Sequence, residues 1–229
     1  MGAFSPRSNA VFSGGAKTRV AMEAGAAPRR AGRQRWIGGG PAGNEQLTAI
    51  TGVVLILLLA ALGVTIVRIG ALLNAHMFIG MLLLGPVALK MASTGYRFVR
   101  YYTRAAAYRE KGPPPDIMRA IAPLVVVSTV VVFATGVALL FLGPGQDGFL
   151  RSLHKLSFIV WVAVTALHVL GHLVELPAAV VADRRIVYDD HGGGRGARVL
   201  ALAGALVGGL VLALVVESHF AVWSGFHHH

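Results

Sequence analysis

Long apolar runs separated by short polar breaks rich in Gly and Pro make up this chain from about residue 45 onward. A bilayer core about 30 Å thick needs about 20 apolar residues of helix, at 1.5 Å each, to cross it. Five stretches meet that length, at about 47–67, 74–97, 117–142, 152–180 and 197–217. The breaks carry turn chemistry: KGPPPD at Lys111 to Asp116, GPGQDG at Gly143 to Gly148, and HGGGRG at His191 to Gly196. Backbone polar groups in hydrocarbon must be satisfied within the segment, so runs of this length are helices. The pattern predicts an all-α membrane protein, an up-and-down four-helix transmembrane bundle plus a fifth transmembrane helix.

The organisation follows from the same pattern. Residues 1–44, rich in Gly, Ala, Pro, Ser and Arg and without apolar periodicity, read as a disordered basic tail with no secretory signal. Residues 45–182 form the four-helix membrane domain, 183–196 a loop, 197–218 the fifth span and 219–229 a tail. In the fifth span Gly204 and Gly208 have the small-xxx-small spacing that lets two helices approach closely.

Charge adds an orientation. Of the 21 Lys and Arg, seven lie in the N-terminal tail, seven between Lys90 and Arg119, and four between Arg184 and Arg198, all on one side of a five-span chain. Only Arg68, Arg151 and Lys155 fall at the opposite ends. The positive-inside rule then places the N-terminus in the cytoplasm and the C-terminus outside, with a bacterial plasma membrane as the natural setting. The formal charge of +11 belongs to these loops, and a nucleic-acid partner is not expected. The absence of cysteine excludes structural disulfides, thiolate-held iron–sulfur clusters, covalent c-type haem and thiol nucleophiles.

An ionisable side chain within a span marks a functional site by default. His76 and His154 both stand near the outer ends of spans two and four, which run in the same direction and are diagonal neighbours in an up-and-down bundle. Two imidazoles at one depth across a bundle suit the axial positions of a b-type haem. Gly80, one turn below His76, offers clearance for a ring edge, and Gly52, Gly63 and Gly136 offer the same on spans one and three. Arg68, Arg151 and Lys155 flank that level and suit two propionates, the plain alternative being long basic side chains reaching for the interface. His168 follows His154 by fourteen residues, which returns it to nearly the same face about 21 Å deeper.

On these residues the chain resembles the transmembrane cytochrome b superfamily, over about residues 47–180. The resemblance implies haem b, electron transfer within the membrane, and a quinone or a soluble or membrane redox partner besides membrane lipid. It implies the electron-carrying subunit of an oxidoreductase rather than a self-sufficient enzyme. A di-haem member would carry a histidine fourteen residues after His76, where this chain has Lys90. Lys90 either ligates a second iron opposite His168 as a deprotonated amine, or turns to the interface and leaves a single haem.

Two further readings stand beside this one. His168, His172 and Glu175, at i, i+4 and i+7 on one helix, have metal-ligand chemistry for a divalent-metal transporter or sensor, with Glu175 otherwise orienting an imidazole. A haem-free structural membrane protein is the third. Phe158 and Trp161 share the His154 face as core or ring-stacking groups, and Thr94 to Tyr108 mixes aromatics and arginines as an interfacial anchor or a dock for a redox partner. His227 to His229 read as a truncated purification tag or a natural surface metal binder, apart from the site in the spans.

Overall fold

The structure is a computed structural model that describes residues 40–109, 116–146, 148–183 and 194–226. It is an all-α bundle: α1 (Gly40–Val67), α2 (Ile69–Tyr102), the single turn α3 (Ala106–Arg109), α4 (Asp116–Leu142), α5 (Gly148–Asp183), α6 (Arg195–Val215) and α7 (Phe220–Phe226). Five of them, α1, α2, α4, α5 and α6, are long and apolar enough to cross a membrane, which makes this a multi-pass membrane protein. Each corresponds to one predicted span. The ends run several residues past the predicted ones, α1 beginning at Gly40 and α5 at Gly148. The N-terminal tail to residue 39, most of the loop before α6, and His227 to His229 lie outside the described residues.

The connections depend on a few torsions. Between α1 and α2 the chain reverses over Arg68 and Leu72, both with non-helical φ/ψ, so the straight part of α2 starts near the predicted residue 74. After α4 the chain leaves the helix through Gly143 at φ 73°, and α6 begins from Gly194 at φ 90°. Both torsions lie in the left-handed region that glycine enters without a Cβ penalty, which accounts for the glycines in the GPGQDG and HGGGRG breaks.

The bundle is built from two helical hairpins, α1 with α2 and α4 with α5, which meet along α2 and α4. Among the described residues α2 and α5 do not pack closely against each other. The fifth span is more intimate with the bundle than a peripheral addition, since α6 packs along α2 as extensively as α1 does. Their backbones touch: a methyl on Gly85 would overlap the Ala205 carbonyl, and one on Gly209 would overlap the Leu82 carbonyl. The expectation for Gly204 and Gly208 is corrected here, because a methyl on either meets nothing within 4 Å. One residue of helix is a rotation of 100°, and α6 turns Ala205, Gly209 and Ala213 toward α2 instead.

The predicted C-terminal tail is ordered through Phe226. After a 3₁₀ turn, α7 folds back so that Val216, Phe220 and Trp223 bury against Met81 and Leu140. These apolar residues recur every three or four positions, a helical face that hydrophobic burial fastens over the ends of α2 and α4. At the other end of the molecule α2 continues to Tyr102, and Tyr108 tucks edge-on against Tyr96 with the Arg100 guanidinium above its ring.

Candidate functional site: two anchored imidazoles

His76 lies one turn past the start of the straight part of α2, and its Nδ1 is 3.0 Å from Thr65 Oγ1 on α1. Thr65 is 4% exposed, and its hydroxyl donates to the Leu62 carbonyl one turn back. With its one proton on the Leu62 carbonyl, the Thr65 oxygen faces the ring as an acceptor, an arrangement in which His76 would carry its proton on Nδ1. In that tautomer the Nε2 lone pair would be available to another partner.

The second hairpin repeats the arrangement. His154 Nδ1 is 3.0 Å from Thr135 Oγ1, and Thr135, 7% exposed, gives its proton to the carbonyls of Val131 and Val132 at 2.8 and 3.0 Å. The hydroxyl of Ser157, next to Thr135, is turned back to the His154 carbonyl at 2.9 Å. The Thr135 oxygen thus faces the ring as an acceptor, an arrangement in which His154 would carry its proton on Nδ1. In each hairpin the second helix carries the histidine near its beginning, and the first helix supplies a buried threonine that fixes the ring.

The glycines around the rings fall into two kinds. Gly136 on α4 supports His154 directly, because a Cβ there would stand 3.0 Å from the ring Cε1. Gly80, four residues after His76 and so on nearly the same face, would admit a Cβ with nothing within 4 Å, and Gly63 on α1 is the same. Gly52 belongs to a different neighbourhood, where a Cβ would stand 3.2 Å from Lys90 Nζ.

Lys90 itself is turned onto α1, where its Nζ donates to the Thr48 carbonyl at 2.6 Å. Thr48 in turn donates to the Asn44 carbonyl at 2.8 Å and contacts the Ser93 hydroxyl at 3.0 Å, and the Asn44 amide reaches the Ser93 carbonyl at 3.0 Å. This polar seam ties α1 to α2. It engages the Lys90 amine on α1, while His168 is half-buried on α5. The side chains of His172 and Glu175 lie outside the described residues, and among the described residues no three His, Cys, Asp or Glu cluster as metal ligands.

The remaining expected residues divide by position. Arg68 and Lys155 are exposed at the histidine end. The Arg151 guanidinium lies over the Trp223 ring of α7, 5.8 Å from its centroid. Phe158 and Trp161 stack on each other with centroids 6.2 Å apart, and the Trp161 indole donates to Thr129 at 2.9 Å, so Trp161 pins α5 to α4. A groove of about 660 Å³ opens between α2 and the C-terminal elements, lined by Asn74, Phe78, Glu217 and Phe220 and by neither histidine.

Thr65, Thr135 and Ser157 were not singled out from the sequence. The available signal was a hydroxyl residue within an apolar run, on the helix preceding each histidine-bearing span. Comparison of the chain with family models, with curated proteins and with solved structures returns no match, so the site is argued from its own geometry.

Proposed function

We propose that His76 and His154 together would hold a single b-type haem, and that the protein carries electrons as the membrane subunit of a redox system resembling the transmembrane cytochromes b. The observation that carries this reading is the pair of threonine-anchored imidazoles. A metal-ligating histidine donates its other N–H to a fixed acceptor, which sets the tautomer and aims the free nitrogen. Each ring has a buried threonine oxygen at its Nδ1, one ring in each of the two hairpins, which supports that arrangement. Room for a planar group is supported by α1 and α5 not packing closely against each other among the described residues, with Gly80 on nearly the same face as His76.

Each chain residue then has a task. Thr65 and Thr135 hold the imidazoles, and Gly136 leaves room for the His154 ring. The apolar surfaces of α1, α2, α4 and α5 exclude water and lower the dielectric, which with ligand basicity sets a potential. Arg68, Arg151 and Lys155 provide positive charge for propionates. Haem, when bound, supplies a one-electron couple between ferric and ferrous iron. Among the described residues one ligand pair is at hand, since Lys90 is tied to Thr48. By the positive-inside rule, the histidine end faces outward across a bacterial plasma membrane, the N-terminus is cytoplasmic, and quinone or a protein redox partner is the electron source or sink.

The test is a dithionite-reduced minus oxidised spectrum of protein purified from membranes, with a pyridine haemochrome assay for stoichiometry. A b-type α band at one haem per chain is expected, lost in both His76→Ala and His154→Ala. Wild-type protein without the band, or either variant retaining it unchanged, would overturn the assignment.

A further inference from the structure

Trp223, on α7, is 8% exposed, and its Nε1–H is buried with no acceptor among the described residues. An indole N–H nearly always finds an acceptor when buried, because leaving it unsatisfied forfeits its hydration with no return. The apolar side chains around it, Met81, Leu140, Val216 and Phe220, have nothing to offer. Packing alone therefore accounts for the ring and not for its nitrogen, since phenylalanine would fill the same cluster without that cost.

Arg151 lies directly over this ring. It stands in the first turn of α5, three residues before His154 and hence one turn away on the same side of the helix. A guanidinium and an indole N–H brought together by two different helices are a donor set for an oxyanion, the first supplying charge and the second a directed bond. Protohaem has two carboxylates that need such partners.

We infer that Trp223 and Arg151 together bind a carboxylate of the porphyrin held at His154, which makes α7 a part of the cofactor site. The inference rests on the bis-imidazole reading above. Arg151 alone was visible in the sequence as a charge near the right level. The indole adds a neutral donor, from an element that the hydrophobic pattern showed only as a tail. The stack over the indole also restrains the arginine, so less side-chain freedom is lost when the carboxylate binds.

The test measures the rate at which full-length protein in detergent releases protohaem to an excess of haem scavenger, for wild type, Trp223→Phe and Arg151→Gln. Trp223→Phe retains an aromatic ring in the cluster and removes only the N–H. Losing a hydrogen bond to a charged group should speed release about tenfold or more. The same proteins are then loaded with protohaem dimethyl ester, whose carboxylates are capped. Wild type and Trp223→Phe should release the ester at equal rates. Two results overturn the inference: protohaem leaving Trp223→Phe at the wild-type rate, or the ester showing the same acceleration as protohaem, which would assign the effect to packing or to another anion. Arg151→Gln keeps the question answerable if the tryptophan variant fails to fold, because it should show the same dependence on free carboxylates. Loss of the α band from wild type would overturn the bis-imidazole reading and this one with it, whereas a normal α band with unaltered release would overturn this one alone.

Discussion

Replacing Thr65 or Thr135 by valine nearly keeps the shape of the side chain and removes the acceptor of one imidazole N–H. The ring is then free to rotate or to exchange tautomers, and haem affinity should fall about 10- to 100-fold for each change, as for other partners behind metal-binding histidines. Titration of stripped protein with haem checks this, and an unchanged affinity in both variants would separate the threonines from the site. Gly136→Ala acts on the same ring from the other side. A Cβ 3.0 Å from His154 Cε1 forces the imidazole to shift, so the α band should move or weaken. Gly95→Ala, where a Cβ meets nothing within 4 Å, is the control and should leave it unchanged. These roles were hard to read from sequence for a physical reason. A threonine in a membrane helix satisfies its own hydroxyl on the preceding turn, so its presence in an apolar run does not announce a second partner. The histidines were legible because an imidazole in hydrocarbon has no such local solution.

At the level of helices, existence and order were legible and rotation was not. Apolar length alone located all five spans, because the bilayer sets how long a run must be. The face that each span turns to its neighbour is not encoded by hydrophobicity, since lipid and the bundle interior are equally apolar and helices there associate through close packing. That is why Gly204 and Gly208 had the right spacing and the wrong face, while Gly85 and Gly209 make the contact. A methyl at Gly85 or Gly209 should separate α2 from α6 and destabilise the fold by about 1–3 kcal/mol, as overpacking does elsewhere. Gly204→Ala and Gly208→Ala should stay within about 0.5 kcal/mol of wild type. Equilibrium unfolding in mixed detergent distinguishes the two pairs, and equal effects would contradict the α2–α6 interface. The C-terminal helix was missed because a stretch so short and so near a terminus has too little apolar periodicity to stand out. Its burial depends on partners far away in sequence, Met81 and Leu140.

Over the whole molecule, two hairpins each present one anchored imidazole, and a third element, α6 with α7, braces α2 and covers the end where they stand. The opposite end is tied by Lys90, Thr48, Asn44 and Ser93. Lys90 thus closes a seam between α1 and α2, and the account predicts that Lys90→Met and His168→Ala each retain one haem per chain, measured by pyridine haemochrome. A fall to half the wild-type haem content in either variant would instead reveal a second site. The central claim is that one iron is shared by His76 and His154. Electron paramagnetic resonance of the oxidised protein tests it most directly: the account predicts a low-spin ferric signal of bis-imidazole type that gives way to a high-spin signal when either His76 or His154 is replaced by alanine. A low-spin signal that survives both replacements, or a wild-type protein with no ferric haem signal, would contradict it.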